Sequence, residues 1–243
     1  MNCINILWVN IRCSNTRLHA ILNSNKNADL IMVQEPWFDT ISIAQLDSNP
    51  GGVNVQGTIA NPLWEGFLPR LCPRDRSKVA TYQHISSTSF TVTNKLDLAS
   101  NYHALTLKVH TGLESFRIYN LYHDAHSNDS DDNNDQLSRK TRRHSLDFIT
   151  SIDIDLMIPT VIGGDFNTHA RAWSPPEICQ LTWAVDLEEW AISQALDLIN
   201  PPAFRLTGVT DTNGTPQLTS YGSMKLQLWK TLFMTWTSAL PHL

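Results

Sequence analysis

Two carboxylates stand where a chain could use them for chemistry: Glu35, in Val33-Gln34-Glu35-Pro36-Trp37, and Asp165, in Gly163-Gly164-Asp165-Phe166-Asn167. Each follows a short apolar run, Leu30 to Val33 and Thr160 to Ile162, of the kind that forms a buried strand. Strand ends are rigid and reach the edge of the core, so side chains just beyond them can point into a cleft. A hard cation such as Mg²⁺ takes oxygen ligands, keeps several waters, and needs only one or two carboxylates together with a substrate phosphate. Gly163 and Gly164 give the backbone freedom and leave room for a ligand. Asn167 lies two residues beyond Asp165, and on an extended segment that spacing puts both side chains on one side. Each residue also has a plainer reading. A Glu before Pro can be a strand-end surface charge, and an Asp after two glycines is often a turn residue.

The elements that must position these groups read as short strands with interspersed helices. Cys3 to Val9 is apolar and β-prone, a first strand. Ser14 can cap a short helix whose Leu18, Ile21 and Leu22 share a face, and Asn23 to Asn27 break it. Asp47 to Gly57, rich in Asn, Gly and Pro, reads as loop. Further strands are expected at Val79 to Gln83, Phe90 to Thr93, Tyr102 to Val109 and Phe116 to Tyr122. In the third, Tyr102, Ala104, Thr106 and Lys108 alternate with His103, Leu105, Leu107 and Val109, the period of a half-buried strand. Asn128 to Asp135 is a polar, acidic loop. A helix over Gln136 to Thr150 carries Arg139, Lys140, Arg142 and Arg143, either a solvated face or a contact for a phosphate backbone. Val185 to Leu198 is amphipathic, with Leu187, Trp190, Ala191 and Leu198 on one side, and Pro201 and Pro202 end it. No repeat is present. Strands outnumber helices, and two packed sheets with helices outside fit the pattern.

Composition narrows the partners. A chain of 243 residues suits one large domain or two small ones. With 42% hydrophobic and 17% charged residues it can bury a core and is not disordered overall. The net charge of −5 argues against bulk electrostatic capture of nucleic acid. It leaves room for a nuclease, since metal ligands are acidic and a bound cation reverses the local field. Cys3, Cys13, Cys72 and Cys179 show no C-x-x-C spacing and no nearby His cluster, which argues against zinc and against a disulfide framework. No apolar run approaches the ~20 residues of a membrane helix. The N-terminal stretch lacks a basic region and a small-residue cleavage site, so no secretory signal is expected. The expectation is an intracellular protein, nuclear if it acts on genomic DNA. The sequence predicts no small-molecule cofactor and no oligomer.

Asn10 in Trp8-Val9-Asn10-Ile11-Arg12, Glu35 in its Gln-Glu-Pro-Trp block, Tyr122 in Tyr119-Asn120-Leu121-Tyr122, and the Gly-Gly-Asp-Phe-Asn block come in a distinctive order at long separations. Together they resemble the endonuclease/exonuclease/phosphatase (DNase I-like) superfamily. The later stretches, His169 to Trp173 and Trp190 to Pro202, look most like the endonuclease domain of LINE-type (non-LTR) retrotransposons of fungi. The resemblance spans residues 1–215 as one endonuclease-like domain and leaves 216–243 as a divergent tail. It implies a four-layered α/β sandwich of two packed, mainly antiparallel sheets flanked by helices, with the site at one end of the sheets and the C-terminal end atypical. It implies Mg²⁺ (or Mn²⁺) as cofactor and DNA as partner. Glu35 would be the main metal ligand with Asn10 beside it. Tyr122 would steady the scissile phosphate, Asp165 would orient or activate the attacking water, and Asn167 would bond the phosphate as charge builds on it. Trp37, His169 and Trp173 are candidates to line the substrate cleft, where aromatic faces stack on bases, while core packing is the competing reading for the two Trp residues.

The resemblance also has gaps. The family closes with a Ser-Asp-His block, and Gln217 to Ser223 followed by Met224 to Leu243 contains no such pair; His242 follows Pro241. The Asn that the family places soon after Tyr122 is replaced by His123, Asp124 and Ala125. Met224 to Leu240, with Leu226, Leu228, Leu232, Phe233 and Trp236, reads as a helix where closing strands are expected. A truncated or frame-shifted mobile-element copy would account for this, and the encoding DNA tests it. Three functions compete: a Mg²⁺-dependent endonuclease with impaired activity, a phosphatase or phosphodiesterase of small molecules on the same fold, and an inactive remnant.

Overall fold

The computed structural model describes residues 4–43, 53–69, 76–94, 101–112, 114–123, 145–167, 182–198, 222–226 and 232–233. The N-terminal unit is a strand, a helix and a parallel strand: β1 (Ile4–Asn10), α1 (Asn15–Ser24) and β2 (Leu30–Gln34). Ser14 caps α1 as its sequence suggested, its hydroxyl accepting from the Arg17 backbone N–H. A small hairpin follows, β3 (Asp39–Ile43) and β4 (Val53–Gly57), then β5 (Trp64–Phe67), β6 (Val79–His84), β7 (Thr91–Asn94), β8 (Ala104–His110) and β9 (Ser115–Tyr122). A helical stretch, α2, occupies 145–150. The chain continues through β10 (Thr160–Asp165), α3 (Thr182–Ser193), β11 (Asp197–Leu198), β12 (Gly222–Leu226) and β13 (Leu232–Phe233).

Two sheets form, in the orders β12-β1-β2-β6-β5 and β11-β13-β10-β9-β8-β7. The period of two along the strands divides their side chains between two cores. In β1, Ile4, Ile6 and Trp8 face the second sheet, where they meet Phe116, Ile118 and Val161. Leu7 and Val9 face the other way, onto Leu18, Ile21 and Leu22 of α1. The outer side of the second sheet, with Tyr119, Leu121 and Ile162, is covered by Leu146 and Ile149 of α2 and Leu187, Trp190 and Ala191 of α3. This is the expected four-layered sandwich of helix, sheet, sheet and helix. Its pairing is mainly antiparallel, as expected, within mixed sheets: β1–β2, β9–β10, β10–β13 and β11–β13 run parallel and the other six pairs antiparallel.

Several elements differ from the sequence reading. Ala104 to Leu107 in β8 are buried on both faces rather than half-buried, because one face meets the other sheet and one meets the helix layer. Val53–Gly57 is a strand inside the segment expected to be loop; Val53 and Val55 alternate with Asn54 and Gln56, a period that the surrounding Asn, Gly and Pro hide. The amphipathic helix stops at Ser193, five residues short of Leu198. Ala195 takes φ 51, Leu196 N–H bonds Ala191 O and Ala195 N–H bonds Ile192 O, both at 3.0 Å. That is a Schellman ending built without the usual glycine, which is why sequence gave no stop signal there. The expected helix over Met224 to Leu240 is also overturned among the described residues. Gly222–Leu226 pairs antiparallel with β1, from Trp8↔Gly222 to Ile4↔Leu226, and Leu232–Phe233 pairs parallel with β10. The free edge of β1 offers unpaired backbone groups, and an added strand satisfies them where a helix could not. Of the Gln136 to Thr150 helix only 145–150 are described, so the Arg139 to Arg143 cluster lies outside the described residues. Among the described residues no helix is long and apolar enough to cross a membrane.

Candidate active site

Parallel neighbours end at the same edge of a sheet, and each sheet holds such a pair at its centre. Asn10 closes β1 opposite Gln34 at the end of β2, and Asp165 closes β10 opposite Tyr122 at the end of β9. With the sheets packed face to face, these four strand ends meet at one end of the sandwich. Glu35, directly after β2, joins them. Asn10 Nδ2 donates to Glu35 Oε1 at 2.9 Å and to Asp165 Oδ2 at 2.7 Å, bridging carboxylates from different sheets. The Tyr122 hydroxyl donates to Glu35 Oε1 at 2.9 Å. Asn10, Tyr122 and Asp165 are buried, whereas Glu35 and Asn167 are partly open.

The surrounding backbone is tightly held. Arg12 N–H donates to Asn10 Oδ1 at 2.8 Å, fixing that amide so that its Nδ2 faces the carboxylates. Cys13 N–H donates to Glu35 O at 2.8 Å, and Glu35 N–H donates to Lys78 O at 2.9 Å. Arg12, Cys13, Glu35 and Asn167 all have positive φ, four of the five such non-glycine residues described. Strain of this kind costs of order 1–3 kcal/mol per residue and concentrates at functional sites.

Beneath the cluster lies a buried amide network between the sheets. Gln34 Nε2 donates to Asn120 Oδ1 at 2.6 Å, and Asn120 Nδ2 donates to Ala80 O at 2.9 Å. These bonds fix the register of one sheet on the other. Sequence reading missed both residues as site supports. Their separation of 86 residues leaves no local signal, although an Asn and a Gln in otherwise apolar strands are themselves a hint.

Burial pushes the Asp165 carboxyl from 3.8 up to about 6. Hydrogen bonds from Asn10 and the Asn167 backbone oppose the rise, the Glu35 charge adds to it, and the Arg12 charge opposes it. A carboxyl with that affinity can exchange protons near neutral pH.

Two local readings change. Asp165 lies within β10, and Gly163 and Gly164 are strand residues without a left-handed backbone. A side chain on Gly163 would run into the Trp8 indole of the facing sheet, and one on Gly164 would run into the Leu121 carbonyl of β9. The glycines allow close packing of sheet on sheet and strand on strand, and the room they leave is filled by Trp8. Asn167 is not on an extended segment: with φ 44 it turns back, its N–H donating to Asp165 Oδ1 at 3.0 Å and its Nδ2 to His123 O at 2.8 Å. It therefore caps Asp165 through its backbone, while its side chain holds the turn after β9. His123, where the family pattern has an Asn nearby, is buried with Nδ1 2.8 Å from Ser145 Oγ. Trp37 is partly buried against the core beneath α1, outside the hydrogen-bonded cluster. His169 and Trp173 lie outside the described residues.

Glu35 and Asp165 present carboxylate oxygens, a donor set that fits a hard divalent cation keeping much of its water, while Asn10 turns its Nδ2 toward them and its Oδ1 to the Arg12 N–H. Among the described residues no group of three His, Cys, Asp or Glu forms a protein-only cage.

The sequence matches the Endonuclease/Exonuclease/phosphatase family over residues 7–241. Among solved structures, the endonuclease domain of TRAS1, a telomere-specific non-LTR retrotransposon, is similar at 13% identity and TM-score 0.55, covering 82% of this chain and 76% of that one. Weaker similarities are to beta toxin from Staphylococcus aureus with bound magnesium ions (12% identity, TM-score 0.39, covering 82% and 74%) and the human Nocturnin catalytic domain (15%, 0.33, covering 69% and 65%). No curated protein matches the sequence.

Proposed function

Because the chain belongs to the Endonuclease/Exonuclease/phosphatase family, we propose that it hydrolyses phosphodiester bonds in DNA with a divalent metal ion, as an endonuclease domain of the non-LTR retrotransposon kind. The observation that carries this reading is the joined cluster of Asn10, Glu35, Tyr122 and Asp165 at one end of the paired sheets. The fold shared with the TRAS1 endonuclease domain supports it.

Glu35 would hold the metal, with Asn10 beside it. A cation bound there supplies positive charge against the charge that builds on the phosphate. Asp165, about 6 in its proton affinity, takes the proton of the attacking water at neutral pH. Asn10, bonded to both carboxylates, keeps their oxygens in register. Tyr122 has a hydroxyl donor beside Glu35 that can turn to a phosphate oxygen. Asn167 Nδ2 gives one hydrogen to His123 O and keeps its second for a phosphate, while its backbone N–H orients Asp165. His169 and Trp173, just beyond the Asp165 turn, and Trp37, just beyond Glu35, are proposed contacts to the bases or backbone of the substrate.

A second reading, a domain of this fold without hydrolytic activity, is favoured by the sequence after Pro216, which offers no Asp-His pair. Nicking of supercoiled plasmid with Mg²⁺, compared with Glu35→Ala and Asp165→Ala, decides between them. Nicking that both substitutions abolish supports the endonuclease. A folded wild type that nicks no faster than either variant overturns it, and phosphate release from a small ester in its place would move the substrate class.

A further inference from the structure

We propose, resting on the endonuclease reading, that Lys78 is a substrate-binding residue of this site that holds a backbone phosphate of the nucleic acid beside Tyr122. Lys78 immediately precedes β6 and occupies the seam between the sheets. Its N–H donates to Tyr102 O, just before β8 of the second sheet, at 2.7 Å, and its carbonyl accepts from Glu35 N–H, just after β2 of the first, at 2.9 Å. The backbone is thus locked on both sides, one residue pair away from the carboxylate assigned to the metal. The side chain extends over Tyr122, with Nζ 5.5 Å from the ring centroid. The hydroxyl of that ring donates to Glu35 Oε1 at 2.9 Å. The ammonium therefore stands at the wall of the cluster, on a rigid strand entrance.

Lys78 is not alone. The charges of Lys78 and Arg76 both act on the exposed Cys13 thiol, and that of Arg12 acts on Asp165. In a chain of net charge −5, Lys78 and Arg76 lie near Cys13, whose N–H is bonded to Glu35 O. The carboxylates by themselves repel a polyanion, whereas flanking cations offset that repulsion and mark where its phosphates lie. An ammonium is a compact point charge with three donors and needs no planar partner, which suits a single phosphate oxygen. Nothing in the local sequence Arg76-Ser77-Lys78-Val79 separates this lysine from a solvated strand-end charge; its place opposite Glu35 does.

The test measures binding of the full chain to a duplex oligonucleotide across a KCl series with Ca²⁺ present, for wild type, Lys78→Met and Lys78→Arg. Met keeps the apolar stem against Tyr122, both backbone bonds are independent of the side chain, and binding is compared at a temperature where thermal melts show all three proteins folded. Loss of one phosphate contact lowers the slope of log K against log[KCl] by about 0.9. The expected result is that drop, and weaker binding, in Lys78→Met, with the slope restored in Lys78→Arg. An unchanged slope in Lys78→Met, or weaker binding that Arg does not restore, overturns the assignment while leaving the endonuclease reading in place. A folded wild type without salt-dependent DNA binding overturns both.

Discussion

Replacing Asp165 by Asn should stabilise the metal-free protein at pH 8 while removing its activity. In the folded chain burial raises this carboxyl from 3.8 to about 6. Folding therefore takes up a proton between those two values. The native state binds more protons than the unfolded chain across that window, so stability falls as pH rises through it and the whole cost is present above about 6. This is opposite to the usual ion-paired carboxylate, whose contribution grows with pH. The interval from 3.8 to about 6, at about 1.4 kcal/mol per pH unit, corresponds to about 3 kcal/mol.

An amide at this position has no charge to desolvate, but it offers one acceptor oxygen where the carboxylate offers two. Asn10 Nδ2 and Asn167 N–H both donate to Asp165, at 2.7 and 3.0 Å, so one of them loses its partner. That loss costs about 1–2 kcal/mol. The net gain for Asp165→Asn is about 1–2 kcal/mol at pH 8; near pH 4, where the charge costs little, the lost bond dominates and the variant is the less stable by about 1 kcal/mol. Urea unfolding in EDTA at pH 4 to 8 measures it directly. Other groups titrate equally in both proteins, so the difference between the two curves isolates Asp165. Added Mg²⁺ should stabilise the wild type more than the variant at pH 8, because a cation favours the ionised form. Curves that run parallel from pH 4 to 8 would refute the reasoning: Asp165 would then not be the buried, proton-hungry group that the base role requires. Activity should fall by roughly 10²–10⁴-fold, the range for loss of a positioned general base.

Gly163→Ala should destabilise by about 1–3 kcal/mol through overpacking against Trp8, and thermal melts should show Trp8→Leu recovering part of the loss. Ala195→Gly should stabilise by up to about 1 kcal/mol, since the C-terminal turn of α3 needs φ 51 there; an unchanged urea midpoint would count against that turn. Asn120→Leu should cost about 2–3 kcal/mol because Gln34 Nε2 is left buried without its acceptor, and a second change, Gln34→Met, should return part of it if the pair is the cause.

The strands β1 and β2 were readable as short apolar runs, whereas the four layers were implied by the family pattern. Ile4, Ile6 and Trp8 against Leu7 and Val9 is a pattern that only two opposed cores explain. Local devices were readable where the usual residue served them, as with Ser14 at the start of α1. They were hidden where an unusual residue did the work, as with Ala195 at the end of α3. Edge strands were the hardest. Gly222–Leu226 is a strand because β1 lies beside it, and propensity within the apolar segment pointed to a helix instead.

The site was legible as residue types and illegible as geometry, for a reason that lies in the topology. Asn10 and Asp165 are 155 residues apart, yet each terminates a strand with a parallel neighbour, and parallel strands end at a common edge. Sequence can reveal the strand ends. It cannot reveal that two sheets present those ends to each other, nor that Lys78 and Tyr102 stitch the seam between them. The same topology explains the strain. Leaving β1, β2 and β10 at one crowded edge forces the chain to reverse at once, and Arg12, Cys13, Glu35 and Asn167 take left-handed turns to do so. Bonds from Arg12 N–H to Asn10, Cys13 N–H to Glu35 and Asn167 N–H to Asp165 hold those turns shut. A glycine at any of the four would relieve the backbone, but at Glu35 it would also delete the cluster's carboxylate and at Asn167 the side-chain bond to His123 O. The strain is therefore the cost of placing functional side chains on the turning residues themselves, and it follows that the carboxylates sit on rigid supports rather than on loops.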